Sequence, residues 1–420
     1  MAKRIFVISQ AEVVDKVGGA ITVFYEFCNM LTANGYDVTG MCYANANTRP
    51  AKLDRDVKFV NLKFATEEFS YESALNEYAR QNRPDLFVFF FPDLYAGAYL
   101  APEFDDIPRI LMFHSRPDVY LCKKTLKALK TVYKNTIAQI LFSSFKQLLP
   151  DFIQQGKVIC IPNGVDLSDN TVNQENEKHK IIYLSRVDEN KGVEFLIDSF
   201  ALIAAKYPQW QIDVYGYAAP EYENKLEKRI EARKIGAQFH LCGITDKPLK
   251  TMHEYDFCVF PSYFEGFGLG LIEALSVGLP AVGLKECTGV NEQIIDGVNG
   301  FLTDFDEKKY AQKIELLIND KALRQQMSIN AVQNCKKYDR KRIWQRWLKL
   351  INDIFTNSLS IDCLPETKSA YKIFSVKKIE SISRHYLLPS WFTVQHSASK
   401  VNIYLFKTIK ISFKKKEKNE

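Results

Sequence analysis

Two glutamates, Glu265 and Glu273, stand eight positions apart in FPSYFEGFGLGLIEALSVGLP, with Gly266, Gly268 and Gly270 between them. YDFCVFPS, just before, is apolar enough for a buried strand, and LGLIEALSVG has helical spacing. A helix that opens at a strand's carboxyl end presents free amides and the positive end of its dipole. That end favours phosphate, and glycines let a ligand approach the backbone closely. Glu265 precedes this anion site and Glu273 lies about one turn inside the helix. A carboxylate on either side would accept hydrogen bonds from hydroxyls. A diphosphate with a sugar at each end fits that layout, and nucleotide diphosphate sugars are such molecules. A second cluster, SRVDENKG, places Arg186 and Lys191 in one loop after another strand. Two cations there would neutralise a diphosphate leaving group, arginine as a planar fork and lysine as a compact charge. The alternative is a surface ion-pair loop, because Asp188 and Glu189 lie between them.

These residues need strands and helices to hold them. RIFVIS reads as a strand, AITVFYEFCNMLTANG as a helix ended by Gly35, and YDVTGMCY as the next strand. DLFVFFF, RILMFHS, AQILFSS and KVICIP extend the series. It then restarts: KIIYLSRV is a strand, KGVEFLIDSFALIAAKYP a helix and WQIDVYG a strand. AQFHLCG, YDFCVFPS, LPAVGL and NGFLTDF follow as strands. Alternating strands and helices predict parallel sheets covered on both faces. The polar stretch PNGVDLSDNTVNQENEKHK marks the joint, so the reading is two doubly wound α/β domains. Ligands of such sheets bind at the carboxyl ends of the strands.

A length of 420 residues favours two domains, and 46% hydrophobic residues suffice for two cores. No apolar run approaches the ~20 residues that span a bilayer. MAKRIFVIS runs straight into a strand without a signal-peptide pattern, which predicts a cytoplasmic protein. The nine cysteines are scattered, with no C-x-x-C pair, and read as reduced, mostly buried thiols. The net charge is +6, but residues 359–420 hold twelve Lys/Arg against five Asp/Glu, so the body is close to neutral and the tail is basic. Such a tail suits an anionic surface.

SRVDENKG and FEGFGLGLIEALSVGLPAV resemble the two signature blocks of glycosyltransferase family 4. The likeness extends through VGG near the N-terminus, FHS at residues 113–115, IPNGVD, YG at 215–216 and DGVNGFL, over roughly residues 1–357. The resemblance implies the GT-B fold: two doubly wound Rossmann-like domains facing across a cleft. It divides the chain into an acceptor-side domain (1–165), a nucleotide-sugar donor domain (166–337), a helix crossing back to the first domain (338–358) and the basic tail (359–420). Residue by residue, it implies that Glu273 holds the nucleotide ribose and Glu265 the hydroxyls of the transferred sugar. Phe267, Gly268 and Leu269 would offer backbone groups to sugar and diphosphate, and Arg186 and Lys191 would bind the phosphates. Gly18 and Gly19 would bring backbone against the donor phosphate, and His114 would lie beside the reacting carbon.

Members of the family are retaining, so the implied product is an α-glycoside, made by hexosyl transfer from a nucleotide diphosphate sugar, by family frequency a UDP-sugar. The acceptor would be a cell-surface glycan or a lipid-linked sugar. Cations and a helix end already face the phosphates, so no metal or other cofactor is expected. The D-x-D at Asp304–Asp306 follows the last strand of the series and is not read as a metal site. An inactive GT-B subunit that binds a partner or a glycan is the rival reading; the intact Arg186, Lys191, Glu265 and Glu273 argue against it. SQAEVVDKVGGA lacks the G-x-G-x-x-G of a nicotinamide enzyme, and no nucleic-acid motif occurs. In LCKKTLKALKTVYKN, Lys123, Lys127, Lys130 and Lys134 share one helical face. With the basic tail they suggest a peripheral protein on the inner face of the membrane.

Overall fold

The computed structural model describes residues 2–9, 19–44, 47–66, 70–90, 100–120, 135–167 and 177–359, and three strands between 392 and 414. The described residues fall into two compact units. Residues 2–167, 265–269 and 335–359 form one; 177–264 and 270–334 form the other.

The first unit is built on seven parallel strands: β1 (Arg4–Ile8), β2 (Asp37–Cys42), β3 (Lys58–Asn61), β4 (Leu86–Phe89), β5 (Arg109–Phe113), β6 (Thr136–Ile140) and β7 (Lys157–Cys160). Their order is β3-β2-β1-β4-β5-β6-β7. β4 is LFVF with every residue buried, as a strand covered on both faces requires. The second unit has six parallel strands: β8 (Lys180–Leu184), β9 (Gln211–Tyr215), β10 (Phe239–Gly243), β11 (Phe257–Phe260), β12 (Ala281–Leu284) and β13 (Gly300–Thr303). Their order, β10-β9-β8-β11-β12-β13, repeats the first six strands of the other sheet. Both follow the doubly wound order 3-2-1-4-5-6. Three further strands, β14 (Phe392–His396), β15 (Lys400–Leu405) and β16 (Ile409–Lys414), pair antiparallel.

Two elements differ from the sequence reading. β3 has the run KFVN, too short for an alternation to show, and it forms an edge by pairing with β2. The helix read across residues 191–208 is regular only over Val193–Ala201. Ile203 leaves the helical region at φ −122°, and a 3-10 turn at Ala204–Lys206 buries Ile203, Ala204 and Tyr207. Burial of those side chains outweighs continued helical hydrogen bonding.

The helix Arg340–Phe355 is capped by Asp339, which accepts from the Arg342 amide. Its buried side, Ile343, Trp347, Leu350 and Ile351, belongs to the first unit's core. Trp347 meets Phe27 edge to face at 4.9 Å. Chain entry to the helix is fixed by Val165, whose amide donates to Tyr338 O and whose carbonyl accepts from Arg340 N, both at 2.9 Å. Gly164 is required there, because a Cβ would lie 2.7 Å from Arg340 Cα. Among the described residues no helix is long and apolar enough to cross a membrane.

Candidate active site

In the second unit, β8 and β11 lie side by side at the centre of the sheet, and the chain leaves them toward opposite edges. That is the topological switch point where such sheets open to ligands. Both sequence clusters follow these two strands. Ser185–Gly192 comes after β8, and Pro261–Phe264 with the helix Leu269–Ser276 comes after β11. A Cβ on Gly270 would overlap Leu184 O, so only glycine lets the helix start against the end of β8.

The loop after β8 is tightly built. Asp188 accepts from the Asn190 amide at 3.0 Å and caps a 3-10 turn at Glu189–Lys191. Gly192 follows in the left-handed region, φ 69°, where a Cβ would overlap Pro261 O. Lys191 is buried. Arg186 is 61% exposed and pairs with Asp188 at 3.3 Å. An exposed pair of this kind contributes about 0–1 kcal/mol, so a doubly charged phosphate can displace it. The ion-pair reading and the phosphate reading of Arg186 are therefore compatible. Glu273 is half-buried in the second turn of its helix.

The first unit gathers the other named residues. His114 and Ser115 follow β5 and are buried. The His114 ring stacks on Phe90 with centroids 4.0 Å apart. Burial pushes the His114 pKa down to about 3, so the imidazole is neutral. Arg116 grips Asp118 through two hydrogen bonds, 2.7 and 3.1 Å, and pins the next turn. Gly19 opens the helix Gly19–Ala33; a Cβ there would lie 2.6 Å from Leu269 Cδ1. A Cβ on Gly266 would overlap His114 O. Gly268 has φ 85°, and Glu265 is buried. Phe267 stacks on Phe142 at 5.3 Å and meets Tyr338 edge to face at 5.7 Å.

The structure thus places His114, Gly19, Glu265, Phe267, Gly268 and Leu269 in the first unit, and Arg186, Lys191 and Glu273 in the second. Gly18 and the lysines at 123, 127, 130 and 134 lie outside the described residues. Phe90, Phe142 and Tyr338 were not legible as site-forming residues. Each sits in an apolar or mixed run that reads equally well as core. Asp304 and Asp306 serve the fold: Asp304 binds Lys285 and Lys309, and Asp306 caps the helix Glu307–Asn319. The Lys285 and Lys309 ammonium groups hold Asp304 below the usual carboxylate range.

The buried His114 gives a prediction. Between pH 3 and the ordinary value of 6.5 the unfolded chain takes up a proton that the folded one refuses. The contribution of His114 to stability is therefore intact above pH 6.5 and falls below it. The stability difference between wild type and His114→Asn should shrink by about 2 kcal/mol from pH 6.5 to 5. Urea melts across that range measure it; a gap independent of pH contradicts the buried neutral ring.

The sequence model described as glycosyl transferases group 1 matches residues 166–334, and that of glycosyltransferase family 4 matches residues 17–169. The chain belongs to glycosyltransferase family 4. A poly(glycerol-phosphate) alpha-glucosyltransferase of Bacillus subtilis is 27% identical over 288 residues, 61% of this chain but only 42% of that protein. A Campylobacter jejuni enzyme named for alpha-1,4-N-acetylgalactosaminyl transfer to a diphospho-undecaprenol-linked trisaccharide is 23% identical over 319 residues, 72% of this chain and 87% of that one. Anabaena HepE, crystallised with UDP-glucose, superposes with a TM-score of 0.67 at 19% identity, covering 83% of this chain and 99% of its own. At that identity the likeness concerns the fold, which is GT-B.

Proposed function

We propose that this family 4 chain is a retaining glycosyltransferase. It moves a hexose or N-acetylhexosamine from a UDP-sugar to a cell-surface glycan or lipid-linked acceptor, forming an α-glycosidic bond. One observation carries the reading: the Arg186–Lys191 loop and the glycine-rich helix start both follow the two strands that flank the second sheet's switch point. Cations and free amides there meet the charge that grows on a departing diphosphate. Glu273 takes the ribose hydroxyls and Glu265 those of the transferred sugar. A neutral His114 hydrogen-bonds to that sugar without adding positive charge beside a reacting carbon that is itself becoming cationic. The bond from the sugar's anomeric carbon to the phosphate oxygen breaks, and the acceptor oxygen bonds to that carbon on the same face. The acceptor's proton passes to the leaving phosphate, giving UDP and the glycoside. The named alpha-transfers of the relatives and the UDP-glucose held by HepE support the donor class and the anomer. The polymer and polyprenol acceptors in the relatives' names support a cell-envelope product.

The test is release of UDP from a panel of UDP-sugars by the purified chain, with chelator present. Release from at least one donor, undiminished by chelator, is the expected result, because cations and a helix end already serve the phosphates. Activity lost in chelator and restored by manganese or magnesium contradicts metal independence. No release from any nucleotide sugar, with or without an added glycan acceptor, contradicts the function and favours the inactive-subunit reading.

The same reading places the protein in the cytoplasm, peripheral on the inner face of the membrane, where lipid-linked acceptors reside. Each lysine near an anionic leaflet contributes about 1 kcal/mol. The face of Lys123, Lys127, Lys130 and Lys134 and the basic tail would supply such charges. The full chain should sediment with anionic liposomes at low salt, release as salt rises, and bind less when residues 359–420 are removed. A chain that stays in the supernatant at low salt contradicts membrane attachment.

A further inference from the structure

We propose that Tyr263 is a positioning residue that fixes Lys191 for the diphosphate, an inference that rests on the phosphate-binding reading of Lys191. Tyr263 holds both chain neighbours of Lys191. Its backbone amide donates to Asn190 O at 2.8 Å. Its ring lies against Gly192, where a Cβ would stand 3.2 Å from Tyr263 Cε1 and overlap Pro261 O. Gly192 has a left-handed φ of 69° and no room for a side chain, and Tyr263 touches the backbone on both sides of the lysine.

The ring cannot yield, because it is packed from behind. Tyr263 is 1% exposed and meets Phe305 edge to face, 5.2 Å between centroids at 85°. Phe305 stacks on Phe195, 4.8 Å away, in the helix that starts at Val193. Phe195 in turn meets Tyr310 edge to face at 5.2 Å. The loops after β8, β11 and β13 are therefore tied by one aromatic chain that begins two residues before Glu265. A lysine side chain has many rotamers, so the position of its backbone decides where the ammonium can reach. Catalytic groups need placement to within about 0.5 Å, which a packed ring can impose and a free loop cannot. The backbone amide makes one of these contacts and ring carbons make the others, so the ring is the side chain's positioning element.

The test uses the full chain with UDP as the probe, titrated by calorimetry beside a melting curve for each variant. Tyr263→Phe should keep affinity within about twofold of wild type. Tyr263→Leu should lose about tenfold, Lys191→Ala about tenfold or more, and the double variant no more than Lys191→Ala alone. That lack of additivity is what a residue acting through Lys191 requires, and a general loss of stability does not produce it. Tyr263→Met serves if the leucine variant does not fold. The inference is overturned if Tyr263→Leu binds UDP as wild type does, with or without a lowered melting point. Full additivity of its loss on Lys191→Ala overturns it as well. Wild-type affinity in Lys191→Ala overturns the phosphate reading of that lysine, and the inference with it.

Discussion

Arg186→Ala and Lys191→Ala should each lower turnover about a hundredfold, the usual cost of removing one preorganised donor to developing charge. Such a loss is about 2.7 kcal/mol of transition-state stabilisation. The two variants should differ in kind. Arg186 is exposed and its partner Asp188 is held by other bonds, so its removal leaves the loop intact. Lys191 is buried, and its removal leaves space inside the loop. Lys191→Ala should therefore also melt earlier, whereas Arg186→Ala should melt as wild type does. UDP release at saturating donor, with melting curves in parallel, reads both effects. Turnover like wild type in either folded variant contradicts that residue's role.

The second large effect separates the two glutamates. Glu273→Ala should weaken UDP binding by roughly 10- to 100-fold, the loss of charged hydrogen bonds worth about 1.5–3 kcal/mol. Glu265→Ala should leave UDP affinity within about twofold and lower transfer by about a hundredfold. The structure separates them as well: Glu273 is half-buried on a helix of the second unit, and Glu265 is buried in the first. Bare UDP carries no transferred sugar, so its affinity isolates the nucleotide half. Equal loss of UDP affinity in both variants contradicts the division of roles.

The sheets were legible because their strands carry the signal locally. IFVI at 5–8 and LFVF at 86–89 are unbroken apolar runs, as strands buried on both faces must be. β3 escaped notice because KFVN gains its order from β2 and not from its own pattern. The helix Arg340–Phe355 reads as crossing back to the first domain, and its buried side, with Leu350 beside Ile343, Trp347 and Ile351, is defined by packing in the first unit's core. The loops after β8 and β11 could be read because their charges and glycines are contiguous. What holds them was hidden. Phe142 and Tyr338 meet Phe267 from 125 and 71 positions away, and no local spacing records such a meeting. Gly266 and Gly270 read as freedom for a ligand; the folded chain shows that they also avoid collision with His114 O and Leu184 O. The carboxylates at 304 and 306 looked like a metal motif in isolation, and the lysines and helix end that engage them settle their structural part.

The central claim is that the second sheet's switch point seats a nucleoside diphosphate. Calorimetric titration of the wild-type chain with UDP, GDP and ADP, each beside its parent nucleoside, tests it most directly. At least one diphosphate should bind about a hundredfold more tightly than its nucleoside, because Arg186, Lys191 and the helix start all act on the phosphates. Diphosphates that bind no better than their nucleosides would contradict the account.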